Sequence, residues 1–83
     1  MNIDWKAIDK AWDKGNAAGH GWGVGEETDT PMQAIQRNCT FIAERNGCFI
    51  GQSNAGSYFA VYDANGPWAV DISAELLGEV EGA

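Results

Sequence analysis

Residues 30–52 read TPMQAIQRNCTFIAERNGCFIGQ, and the fold depends on where helix gives way to strand inside them. Thr30-Pro31-Met32-Gln33 has the marks of a helix start: a hydroxyl at the cap, proline in the first turn, and a glutamine placed to reach back to the cap. Met32, Ile35, Cys39 and Ile42 then recur at helical spacing, and Asn46-Gly47 halts the run. A competing reading makes residues 39–44, CTFIAE, a strand that turns through Asn46-Gly47 into CFIGQ. Start signal, period and stop signal agree on the helix. Its arginines, Arg37 and Arg45, also fall late, where the macrodipole favours cations. The expectation is a helix continuing to the Asn-Gly stop.

Beyond Gly47 the pattern changes to short β-prone runs, CFIGQ, SYFAVYD and PWAVDI, divided by the turn-rich SNAG and ANGP. These predict a three-stranded antiparallel meander. Residues 46–62 carry no charge, which suggests a sheet edge or face covered by a partner or by a second copy. The tail SAELLGEVEGA reads as a short helix capped by Ser73 with Leu76, Leu77 and Val80 inward, as a fourth strand, or as a frayed end.

Before residue 30, Asn2 or Asp4 caps a first helix with Trp5, Ile8 and Trp12 on one stripe and Gly15 as its stop. Lys6, Lys10 and Lys14 interleave with Asp9 and Asp13, which reads as a solvated, self-compensating face. Residues 19–25, GHGWGVG, place glycine at every second position. They lack the glycine spacing of a dinucleotide fingerprint, and no Gly-Lys-Ser/Thr of a P-loop occurs. Either this is a mobile arm that orders on a partner, or HGWGV is a short strand in which Trp22 plugs the core and the glycines allow close backbone approach. The fold class read from these signals is α+β. A single domain of 83 residues has two N-terminal helices packed on one face of the meander, with a short helix as one option at the C-terminus. Trp5, Ile8, Trp12, Ile35, Ile42, Phe59, Val61, Trp68 and Val70 are the expected core.

Charge narrows the function. Twelve acidic residues against five basic ones give a net of −7. All five basic residues lie in the first 45 positions, and the rest of the chain holds Asp63, Asp71, Glu75, Glu79 and Glu81 with no lysine or arginine. That half has no means of binding nucleic acid or an anionic membrane by counterion release, whereas a basic protein is drawn to it. The charged N-terminus has no signal-peptide core and no run approaches a membrane span, so a cytoplasmic protein is expected. Cys39 and Cys48 lack metal or redox spacing and read as buried apolar residues. A ligand or hydrolytic site built from His20, Trp22 and a cysteine is a weaker reading, and no metal or cofactor is expected.

If the tail is helical, Asp71, Glu75 and Glu79 fall at intervals of four, on one face. In size, acidity and lack of a catalytic constellation the chain is similar to the small inhibitors that bacteriophages use against host nucleases and CRISPR complexes, some of which imitate DNA. That analogy implies a non-enzymatic inhibitor whose partner is a basic nucleic-acid-binding protein. The expected partner-binding residues are Glu26, Glu27, Asp29, Asp71, Glu75, Glu79, Glu81 and Trp22. A small structural or regulatory domain that self-associates as a homodimer through its uncharged sheet is the alternative.

Overall fold

The computed structural model describes residues 3–80, with side chains through residue 78. Asp4 caps the first helix, α1 (Trp5–Ala17), its carboxylate accepting from the Ala7 N–H at 3.1 Å. The helix runs through Gly15 instead of stopping there, and the chain leaves it at Gly19, where φ is +81°. Gly15 serves packing: a Cβ on it would fall 2.4 Å from Val70 Cγ1. The glycine loop that follows contains a short strand, β1 (Trp22–Gly23).

The second helix, α2 (Pro31–Asn38), begins as its sequence predicts. The Gln33 N–H donates to Thr30 Oγ1 at 3.2 Å, and the Thr30 N–H donates to Gln33 Oε1 at 3.0 Å. It ends at Asn38, well short of the Asn-Gly stop. Residues Thr40–Arg45 form a strand, β2, joined to β3 (Cys48–Gln52) by a two-residue turn in which Asn46 and Gly47 have φ of 51° and 83°. Positive φ at both turn positions matches the twist of paired strands, so Asn-Gly closes a hairpin here. The helix expected over these residues gives way because Thr40, Phe41 and Ile42 are strand formers and β3 offers an unpaired backbone beside them.

With β4 (Tyr58–Tyr62) and β5 (Trp68–Ile72), the strands make a five-stranded antiparallel sheet in the order β1-β5-β4-β3-β2. The expected three-stranded meander is its centre, flanked by β2 on one edge and β1 on the other. On one face Ile8 and Trp12 of α1 pack with Cys48, Ile50, Ala60, Val70, Ile72 and Leu77. Ala34 and Ile35 of α2 pack with Val24, Phe59, Val61 and Ala69. Adjacent strand residues point to opposite faces, and neighbours such as Phe59 and Ala60 fall in different clusters, so the helices cover opposite faces and do not share one. This also accounts for the uncharged stretch. β3 and β4 are interior strands sandwiched between helices, and Phe59, Ala60 and Val61 are all fully buried. Gly51 belongs to this packing, because a Cβ there would lie 2.7 Å from Phe59 Cζ.

Of the expected core, Ile8, Trp12, Ile35, Phe59, Val61 and Val70 are buried. Trp5 and Ile42 are half-buried at its margin, and Trp68 is 41% exposed. After β5 the chain enters a 3-10 segment, Ala74–Val80, broken at Gly78 where φ is 66° and ψ is −109°. Leu77 is buried against the α1 cluster, and the Asp4 N–H donates to the Leu76 carbonyl at 2.9 Å, tying this segment to the start of α1.

Candidate functional site

Asp9 and Asp13 lie one turn apart on α1, beside the stripe that buries Trp12. β4 ends at Tyr62, whose hydroxyl donates to Asp9 Oδ1. The Tyr62 ring meets Trp12 edge-to-face, with centroids 5.2 Å apart. Asn65 follows on the short 3-10 turn Asp63–Asn65 between β4 and β5. Asp9, Trp12, Asp13, Tyr62 and Asn65 line a cavity of about 330 Å³. Asn65 is also a wall of a second cavity of about 440 Å³, formed with Gly23, Gly25, Glu27, Gly66, Pro67 and Trp68. Neither lining contains a lysine or arginine among the described residues. A third cavity of about 420 Å³, sharing Asp9 and Tyr62, has mixed charge, with Asp4 opposed by Lys6 and Arg45.

Asp9 and Asp13 share an exposed face with the lysines of α1, as expected. Among the described residues none of them forms an ion pair, and the pair found is Arg37 with Asp29. On the helical wheel the two aspartates lie between the buried stripe and the lysines, so they border the cavity of about 330 Å³, whose lining includes no lysine. Burial, then the hydrogen bond to Asp9, raises the Tyr62 phenol well above its ordinary value. It therefore stays a neutral donor at physiological pH. Trp12 Nε1 is buried without a hydrogen-bond partner.

The residues expected to bind a partner are scattered. Glu26 and Glu27 are exposed after β1. The Asp29 carboxylate is only 8% exposed, and it accepts from the Glu26 N–H at 2.9 Å and from Arg37. The Glu26 N–H, followed by Arg37, holds its carboxyl below the usual range against the opposing effect of burial. Asp29 therefore braces its own loop. Trp22 packs edge-to-face on Phe59, and its Nε1 donates to Asp71 Oδ1 at 2.9 Å. Asp71 is a β5 residue, Glu75 stands on the 3-10 segment, and Gly78 breaks the chain direction beyond it. The evenly spaced acidic row is thus not built. The Glu79 side chain and Glu81 lie outside the described residues.

Within GHGWGVG, Trp22 and Gly23 pair with β5 and the positions of Gly21 and Gly25 are close-packed, whereas Gly19 and Gly23 border open space. Trp22 stands opposite Ala69, a Cβ on Gly21 would fall 2.1 Å from Trp68 Nε1, and one on Gly25 would fall 2.6 Å from Ala34 Cβ. The thiols do not meet, because Cys39 packs on the α2 face and Cys48 on the α1 face. Burial raises both thiols above their usual pKa. No group of three or more His, Cys, Asp or Glu among the described residues is placed to hold a metal ion, and no described helix is long and apolar enough to cross a membrane. Asp9, Asp13, Tyr62, Asn65 and Trp68 are not among the residues expected from sequence to bind a partner. The four-residue spacing of Asp9 and Asp13 beside Trp12 is the available signal, masked by the interleaved lysines. No family model, curated protein or solved structure matches this chain.

Proposed function

We propose that this chain is a non-enzymatic acidic inhibitor that docks on a basic nucleic-acid-binding protein and occludes its DNA or RNA site. The observation that carries this reading is the pair of adjoining cavities sharing Asn65. They bring Asp9, Asp13 and Glu27 together with Trp12, Tyr62 and Trp68, and no cation among the described residues lines them. Carboxylates grouped around aromatic walls attract basic side chains over a distance and give them apolar surface on contact. A net charge of −7 adds long-range steering toward a positive groove. Self-association through the uncharged sheet draws less support, since that stretch is covered on both faces by the chain's own helices. The open edge strand, β2, carries Glu44 and Arg45 and a register irregularity between Phe41 and Ala43, features that discourage edge pairing.

The test is affinity for a basic nucleic-acid-binding protein captured with the chain, measured across a salt series with a DNA or RNA duplex as competitor. Binding should fall steeply with salt, because exposed charges are screened over about 8 Å at physiological ionic strength. The duplex should compete. Asp9→Lys with Asp13→Lys should weaken binding far more than a double charge reversal at Asp63 and Glu75. Salt-insensitive binding that leaves the duplex in place would sink the inhibitor reading.

A further inference from the structure

Trp68 is the most exposed tryptophan whose surroundings are built to hold it still. Its indole lies over Gly21, where any Cβ would collide with it, and its Nε1 donates to Asn16 Oδ1 at 2.8 Å. Its partner across the β1–β5 pairing is Gly23. A Cβ on Gly23 would meet nothing closer than the Gly25 carbonyl oxygen at 3.9 Å, so open space stands where a cross-strand side chain normally packs. That space belongs to the cavity of about 440 Å³ walled by Trp68, Pro67, Glu27 and Asn65. Its size lies toward the lower end of the roughly 300–1,000 Å³ usual for ligand clefts.

The chemistry of the walls selects the occupant. The lining residues are Glu27 with its carboxylate, Gly25 with its carbonyl, Asn65 with an amide that can accept as well as donate, and Trp68 with a ring whose own donor is already engaged. A fitting group donates hydrogen bonds, carries positive charge and is flat. An apolar occupant would bury Glu27 uncompensated, and an ammonium ion would keep its hydration and use the ring poorly. A guanidinium stacks on indole and forks its N–H groups to oxygen acceptors. We propose that this cavity receives one arginine side chain of the basic partner, between the Trp68 ring and Glu27. The inference rests on the proposed function and deepens it.

The test uses the full chain, with hexa-arginine and hexalysine as probes, followed through the Trp68 indole N–H and backbone amides by NMR. Hexa-arginine should shift the Trp68 indole and the Gly23 and Glu27 amides, and bind more tightly than hexalysine. Gly23→Val fills the space at a strand position with no clash, so it should leave the melting temperature near that of the parent and weaken hexa-arginine binding roughly tenfold, the scale of a partly desolvated cation–π contact. Trp68→Leu should do the same, and Glu27→Gln should weaken binding where Glu75→Gln does not. Equal binding of both peptides, or a Gly23→Val variant that binds hexa-arginine as well as the parent, overturns the arginine site. If shifts then appear at Asp9 and Asp13, the acidic-inhibitor reading survives without this pocket. If neither peptide shifts any of these residues, both proposals fall.

Discussion

Replacing Gly15 with alanine sets two effects of opposite sign against each other. In an exposed helix the change stabilises by about 1 kcal/mol, because alanine loses less backbone entropy. Here the new Cβ would stand 2.4 Å from Val70 Cγ1, whereas carbon atoms rest at about 3.5–4.0 Å. A shift of about 1 Å or more is required of α1 or of Val70. Val70 is 1% exposed, and as a β-branched residue it has little rotamer freedom with which to yield. Overpacking of this kind costs about 1–3 kcal/mol, and a misfit this large belongs near the upper end. The net expectation is a loss of about 1–2 kcal/mol, or a Tm lower by roughly 5–15 °C for a domain of this size. Val70→Ala removes the obstructing methyl, so Gly15→Ala should turn neutral or stabilising in that background, with a coupling of at least about 1 kcal/mol. Urea and thermal unfolding of the four proteins in the cycle, followed by tryptophan fluorescence, give both numbers. A Gly15→Ala protein more stable than the parent would mean that α1 is not seated on β5.

Two pH effects follow from the shifted groups. Asp29 has its carboxyl lowered from 3.8, so its contribution is present above that pH and is lost as pH falls through the depressed value. Asp29→Asn should lower stability at pH 7 and flatten the acid limb below about pH 4, as read by urea unfolding across pH. Tyr62 has its phenol raised from 10.0, so its contribution is intact below pH 10.0. It declines as pH rises toward the folded value, since only the unfolded chain ionises in that interval. Tyr62→Phe should remove that alkaline decline, and an unchanged alkaline limb would show that the phenol is not held neutral by its burial and by Asp9.

Short-range chemistry was enough for several elements. The Asp4 cap and the Thr30–Gln33 capping box act within one turn of chain, and the runs that became β3, β4 and β5 are set off by turn residues in direct succession. The α+β class and the acidic balance also need no distant contact. The end of α2 does, because residues 39–45 carry helical spacing and strand-forming side chains at once. The neighbouring edge of β3 broke that tie by offering hydrogen bonds that a longer helix would have left unmade. Placement of the helices on opposite faces followed, with burial of the whole uncharged stretch. Gly15 shows the same limit: a helix stop and a close seat against Val70 look identical until β5 lies beneath it.

The candidate site was less legible than the fold. Asp9 and Asp13 are separated in sequence from Tyr62 and Asn65 by most of the chain, and Glu27 from Trp68 by a helix and three strands. Trp22 and Trp68 are alike as residues. One is tucked against Phe59 and bound to Asp71, and the other is held open over Gly21 by Asn16. No local pattern separates the two, because exposure depends on what lies against each ring, Phe59 for Trp22 and Gly21 for Trp68, once β1 pairs with β5. Acidic residues suffer the same ambiguity. Asp29 and Asp71 are engaged by Arg37 and Trp22, Asp9 accepts from Tyr62 at the wall of a cavity, and Asp13 and Glu27 line cavities, distinctions made by partners that are near in space and mostly distant along the chain.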